Sequence, residues 1–336
     1  MLATGRNTIS RSPHVRVLGA LLVGFCISWL ASVVYLFTLD APMENWVRAL
    51  DKQDRWSQHF TAGQGPRLVV TGGSSCTFSI DGGMATEQFH VPVINGGLEA
   101  GMGAYGVLLL SSRLTESGDT LVLAIEPPLL LSPLDYTQDT LQLMIRRLEW
   151  DRLVQAKKVT GRAVPLDSLF FSPCPGLQNV AAFLGRVVTH TPYRYENAEI
   201  RAGGLMVTDF RYPLSKDGYI PGLSPGNRDV LLHFRDWASH RGVRVVYSIP
   251  WYYVGNERAS EQKRINARFL ASLSEIMPVV REEEFGVQTD PSLFADTKWH
   301  LTEEAAQVRT SELVTHTLAS DFWTADQLER VASAFR

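Results

Sequence analysis

The 336-residue sequence predicts an α/β domain on a parallel sheet, interrupted by an insertion and preceded by one transmembrane helix. Three observations predict it. Short β-rich apolar runs alternate with amphipathic helical stretches, the alternation lapses over residues 128–225, and residues 17–39 contain no charged side chain.

The composition agrees with one sizeable core. A hydrophobic content of 45 % against 20 % charged excludes wholesale disorder, and a net charge of −3 gives no electrostatic basis for binding nucleic acid. The three cysteines (Cys26, Cys76, Cys174) form no framework, and a Cys76–Cys174 bridge has no spacing rule behind it. The eight histidines lack ligand spacing with cysteines or carboxylates, so no metal is expected, and as the glycines at 72–73 fit neither the dinucleotide fingerprint nor the Walker A pattern, no cofactor is expected either.

In chain order, residues 1–16 read as a cytoplasmic tail carrying Arg6, Arg11 and Arg16. The uncharged run 17–39 is long enough to cross a ~30 Å hydrocarbon core at about 1.5 Å per residue. Asp40 and Glu44 follow it, so the positive-inside rule puts the N-terminus in the cytoplasm and residues 41–336 outside. The expectation is a single-pass protein of the cell inner (plasma) membrane with a periplasmic, extracytoplasmic domain. A cleaved signal peptide would have a shorter apolar region and a small-x-small site before Asp40. Residues 40–65 read as a juxtamembrane linker and helix, with Trp46 and Trp56 as interfacial or packing aromatics. The domain proper is assigned to 66–320 with its insertion at 128–225, leaving 321–336 as a C-terminal tail. Strands are expected at 67–71, 91–94, 120–125, 243–249 and 278–280, and helices at 103–114, 228–240, 257–276 and 302–318. The insertion is read as one helical piece, 137–154, followed by loops rich in Gly, Pro, Tyr and Asn.

Two places carry chemistry. The run Val69-Val70-Thr71 stops at Gly72-Gly73-Ser74, just past a strand end, where ligands bind in open parallel sheets. An ordinary glycine turn is the competing reading. Near the other end, Asp296-Thr297-Lys298-Trp299-His300 leads into a helix capped by Thr302. A nucleophile, a base and a carboxylate to orient the base are the parts that ester chemistry needs. A capping Asp and a surface His are the alternatives there. Cys76 reads as a packing residue, since nothing nearby lowers its pKa.

These residues resemble the SGNH (GDSL-like) esterase and acyltransferase superfamily. Gly72-Gly73-Ser74 is similar to a variant of its first block and Asn95-Gly96-Gly97-Leu98-Glu99-Ala100-Gly101 to its second. Asp296-Thr297-Lys298-Trp299-His300 is similar to its last. The resemblance implies a three-layer, flavodoxin-like parallel sheet of SGNH type. It further implies Ser74 as nucleophile, His300 as base, Asp296 as its orienting carboxylate, and the N–H groups of Ser74 and Gly101 as oxyanion hole. Two positions depart from the pattern: Glu126 stands where the family's third block places an Asn donor, and Asp296 precedes His300 by four residues rather than three. Substrate contacts are expected from Asn95, Glu126, Trp251 and Tyr252; the last two belong to the run Pro250-Trp251-Tyr252-Tyr253, which suits a sugar surface or else packs beneath a helix.

The function expected is a membrane-anchored esterase or O-acyl(acetyl)transferase acting on cell-surface or exported carbohydrate. A multi-spanning membrane acyltransferase would be its partner. The alternatives are a lipase or thioesterase of the same fold, and a non-catalytic assembly or glycan-binding subunit.

Overall fold

The computed structural model describes residues 13–60, 66–131, 136–174, 177–196 and 198–334. Most of the expected cytoplasmic tail and the end of the juxtamembrane linker, 61–65, lie outside the described residues.

The apolar run forms α1 (Pro13–Thr38), whose side chains are exposed along most of its length. Asp40 then accepts a hydrogen bond from the Met43 N–H at 3.1 Å and starts α2 (Ala41–His59) with no intervening spacer. One face of α2 buries Met43, Trp46, Ala49 and Leu50, each large side chain worth about 1.5–3 kcal/mol on leaving water. Its polar face is tied down as well. Gln53 donates to the Gly97 carbonyl at 2.7 Å, Trp56 Nε1 to the Val93 carbonyl at 2.9 Å, and Arg147 pairs with Asp51 and Asp54. Trp46 and Trp56 are therefore packing residues.

The domain then alternates strand and helix: β1 (Leu68–Gly72), α3 (Ser74–Thr77), α4 (Gly82–Phe89), β2 (Val93–Asn95), α5 (Gly103–Ser111) and β3 (Thr120–Ala124). The insertion supplies α6 (Pro127–Leu131), α7 (Gln138–Arg146), α8 (Trp150–Thr160), α9 (Leu166–Phe171), α10 (Leu177–Thr189) and a hairpin of β4 (Glu199–Ile200) with β5 (Met206–Val207). The rhythm resumes with α11 (Pro225–His240), β6 (Arg244–Tyr247), β7 (Tyr252–Tyr253), α12 (Asn256–Ser274), β8 (Val279–Val280), β9 (Val287–Gln288), α13 (Glu303–Leu318), β10 (Phe322–Trp323) and α14 (Ala325–Ala334).

Six strands form one sheet in the order β2-β1-β3-β6-β8-β10, parallel except for β10 at one edge. The first five give the flavodoxin-like order 2-1-3-4-5, so the α/β expectation holds. Side-chain alternation builds the layers. Val69, Leu121, Leu123 and Val245 face the core shared with α2, α5, α8 and α11, while Leu68, Val70, Val122 and Val246 face α4 and α13.

Two sequence readings need correction. The expected helix 137–154 is two helices, broken where Leu148 adopts a left-handed φ of 58° without any Gly or Pro to announce it. The expected tail 321–336 contains β10 and α14. Trp323, Leu328 and Ala332 are buried in the main core there, but a two-residue strand and a ten-residue helix are too short to show a firm period.

Candidate active site

β1 and β3 are neighbours at the point where strand order reverses, and the chain leaving each carries one part of the site. After β1, Gly73 is extended and Ser74 opens α3, with Ser74 half-buried and Ser75 buried. The accessible hydroxyl is therefore that of Ser74. After β3 comes Glu126, 5 % exposed, whose two carboxylate oxygens straddle Ser74. Oε2 accepts the Gly73 N–H at 3.0 Å and Oε1 the Ser75 N–H at 2.9 Å. A Cβ on residue 73 would collide with that carboxylate, which explains the glycine. The N–H of Ser74, between the two clamped amides, has no acceptor among the described residues.

Glu126 is thus a fastening for the serine loop, and the expectation that it contacts substrate is corrected. Asn95 is corrected likewise. Fully buried, its amide donates to the carbonyls of Cys76 at 3.1 Å and Ile80 at 2.8 Å, and its oxygen accepts the Gly97 N–H at 2.8 Å. The glycine pressed against the serine helix is Gly97, where any Cβ would strike the Thr77 backbone. Gly101, expected as an oxyanion donor, is exposed in the turn Ala100–Met102, with the carboxylates of Asp139 and Glu99 as its near neighbours. Burial, then the charge of Asp139, pushes the Glu99 carboxyl up to about 7. That setting is poor for a developing anion. Cys76 is a packing residue: burial and then Glu126 push its thiol far up. All three cysteines are free, so no Cys76–Cys174 bridge forms.

The second part is a tight loop ahead of α13. It is closed by the Ala295 N–H to the His300 carbonyl at 2.8 Å and the Thr302 N–H to the Leu293 carbonyl at 2.8 Å, and Thr302 caps the helix. Within it Asp296 Oδ1 lies 2.8 Å from His300 Nδ1, the extra residue between them being absorbed by the turn. A carboxylate only accepts, so Nδ1 carries the proton and Nε2 is left with its lone pair. The His300 ring stacks on Phe78 at 4.1 Å and 15°, and the Phe78 N–H donates to the Ser74 carbonyl at 3.0 Å. The histidine is therefore held against Phe78, the residue that closes the serine helix. Neither Ser74 Oγ nor His300 Nε2 has a partner among the described residues, as is common before substrate tightens such a site.

The insertion completes this part. The Tyr195 hydroxyl donates to Asp296 Oδ2 at 2.6 Å, and the Arg194 guanidinium forms an ion pair with the same oxygen. Burial of Asp296 works to raise its pKa. The hydrogen bond and charge of His300, then Tyr195 and Arg194, outweigh that and hold the carboxyl below its ordinary value. Burial and then Asp296 push the Tyr195 hydroxyl far up, so it stays a donor. The sequence placed no weight on Arg194 or Tyr195, about a hundred residues from their partner; the Tyr193-Arg194-Tyr195 triplet was the available signal. Beside them opens a cavity of about 630 Å³, lined by Tyr193, Arg194, Arg201, Phe210 and Glu303.

Trp251 and Tyr252 are corrected as substrate contacts. Trp251 is buried beneath the Arg309 guanidinium, and Tyr252 is fully buried, stacked on Trp299 at 4.8 Å with its hydroxyl taking the Asn266 amide at 3.1 Å.

A pH test follows from Asp296. A depressed folded pKa contributes stability that is complete above the unfolded value of about 3.9 and is lost as pH falls through the folded value. Arg194→Gln weakens that depression. At pH 7 it should cost about 1 kcal/mol, discounted because the Arg194 side chain is 34 % exposed, and at pH 3 much less. Thermal unfolding of both proteins at the two pH values checks this; an equal loss at both would refute the ion pair's role.

No protein-family model matches this chain, and no curated protein matches it. Among solved structures, a candidate platelet activating factor from Streptococcus pneumonia is similar, with 13 % identity and a TM-score of 0.31. The match covers 81 % of this chain and 94 % of that one.

Proposed function

We propose that this protein is a membrane-anchored serine ester hydrolase or O-acyltransferase, with Ser74, His300 and Asp296 as nucleophile, base and orienting carboxylate. The observation that carries the reading is the buried Asp296–His300 pair at 2.8 Å, whose ring stacks on Phe78, the residue whose N–H bonds the carbonyl of half-buried Ser74. In this reading Ser74 Oγ attacks the acyl carbonyl while His300 Nε2 takes its proton. The carbonyl oxygen gathers charge at the Ser74 N–H. Collapse expels the alcohol, which receives the proton from His300, and leaves an acyl-serine. Water or a sugar hydroxyl, deprotonated by His300, then releases the acyl group.

The resemblance to the SGNH superfamily supports the same roles. The α1 anchor, with the domain outside the membrane, rests on the length of its apolar run and the arginines before it. The cavity by Arg194 has the size of a small-ligand site, and its mix of aromatic rings and charges suits a carbohydrate. A multi-spanning acyltransferase supplying the acyl group remains part of the proposal.

The Glu126 clamp favours a second reading, a subunit that holds glycan without turning it over. A carboxylate one peptide unit from the forming oxyanion, at about 5 Å and an effective dielectric of about 20, opposes it by about 3 kcal/mol. Detergent-solubilised full-length protein separates these readings. Wild type should hydrolyse a chromogenic acetyl ester and accept a fluorophosphonate on Ser74, with Ser74→Ala slower by at least about 10³-fold. Equal rates without an adduct would leave the non-catalytic reading, and a strong preference for long acyl chains would make it a lipase or thioesterase.

A further inference from the structure

Helices α9 and α10 of the insertion touch the apolar helix α1, and α9 also packs on α7. Phe170 stacks on Trp29 at 5.6 Å and on Phe25 at 6.0 Å, and Phe171 meets Phe25 edge-on at 6.5 Å. Trp29 Nε1 donates to the Phe170 carbonyl at 2.7 Å, and Phe183 meets Tyr35 at 5.2 Å. Counting back from Leu39 at 1.5 Å per residue, Trp29 lies about 15 Å and Phe25 about 21 Å along the apolar run. A chain segment that touches them, with α1 in a bilayer, is at hydrocarbon depth.

The segment's composition and outer surface fit that depth. Residues 164–189 contain two charged side chains, Asp167 in the first turn of α9 and Arg186 in the last turn of α10. Arg186 acts on Tyr35 and Asp40, where α1 ends, so α10 has its cation at the level of the boundary. Leu166 and Val188 are 83 % and 78 % exposed, and Phe171, Leu184 and Val187 are each more than half exposed. Left in water, so many exposed large apolar side chains on one short segment would be far from ordinary for a soluble domain. The backbone between the helices is also provided for: Gln142 donates to the Ser172 carbonyl at 2.7 Å and Gln138 to those of Ser172 and Cys174. Carbonyls deprived of water need such donors.

We propose that α9 and α10 form a collar seated in the bilayer against α1, reaching from the outer boundary to about the midplane, with lipid acyl chains as its partner. The inference rests on reading α1 as a retained anchor. It has a consequence for the site, because the chain leaves α10 at Thr189 and four residues later begins Tyr193-Arg194-Tyr195, which holds Asp296. The lipid-seated helix and the candidate active site are one continuous piece of chain.

The test uses the full-length protein in phosphatidylcholine vesicles, with fluorophores placed singly at native Cys26, or at Leu184→Cys, Val188→Cys or Ser239→Cys after Cys26 and Cys174 are replaced by alanine. Quenching by spin-labelled lipid is compared with quenching by aqueous iodide. The collar predicts that position 184 follows Cys26, with lipid quenching strong and iodide quenching several-fold weaker than at position 239, and that position 188, beyond Arg186, is quenched by lipid at the boundary. If 184 and 188 follow 239 while Cys26 stays lipid-quenched, the collar is wrong and the anchor stands. If Cys26 is itself iodide-quenched, or the mature chain lacks α1 by mass, the anchor reading fails and takes the collar with it.

Discussion

Asp296→Asn should lower kcat/KM for an acyl ester by about 10³–10⁴-fold while leaving a folded protein. The carboxylate holds the Nδ1 proton of His300 at 2.8 Å, and an asparagine can offer its amide N–H to that nitrogen instead, turning the lone pair away from Ser74. Asp296 also accepts Tyr195 and Arg194, so the substitution leaves a two-thirds-buried guanidinium without its counter-charge. A stability loss of about 1–3 kcal/mol should accompany the kinetic one. Tyr195→Phe separates the two effects: it removes one hydrogen bond from the carboxylate but keeps the proton on Nδ1. It should cost no more than about tenfold in kcat with KM unchanged. Rates of the two variants within a factor of a few of each other would show that orientation of His300 is not the function of Asp296.

Glu126→Ala should be the most destabilising single change near the site. It leaves the N–H groups of Gly73 and Ser75 buried without acceptors, about 1–3 kcal/mol each, which for a domain of this size lowers Tm by roughly 5–10 °C. Glu126→Gln should behave differently. Its single amide oxygen satisfies one of the two donors, so the loss is smaller, and the fixed anion beside the Ser74 N–H is gone. Turnover per folded molecule is then expected to rise about 10–100-fold while Tm falls. Thermal unfolding and active-site-titrated rates measured together decide it. A Glu126→Gln protein less stable and also less active would mean that the carboxylate serves the reaction directly.

Much of this arrangement was legible in the sequence, for identifiable reasons. Five parallel strands were found because buried parallel strands are near-continuous apolar runs, and β10 was missed because two residues carry no period. The strand end before Ser74 and the capped helix start after Asp296 and His300 were legible because both are local signals. The roles of Asn95, Glu126, Trp251 and Tyr252 were not. Whether a side chain near a strand end turns outward to a ligand or inward to the protein depends on partners distant in sequence, and here all four are buried against the protein. For the same reason Arg194 and Tyr195, inside an insertion without periodicity, became meaningful only once folding brought them to Asp296.

Arg146 donates to the carbonyls of Leu36 and Asp40 at 2.7 and 3.2 Å, and α2 follows α1 at once. Many tethered domains hang on a flexible stalk and sweep a hemisphere. This one is mounted, so with α1 in a bilayer its site stays at a nearly constant height and bearing, and its search is two-dimensional. On the proposed function, a polymer or a donor enzyme would have to come to that height to be served. Encounter rates should therefore scale with surface density in the plane of the membrane, and lengthening the joint between α1 and α2 would exchange that alignment for reach.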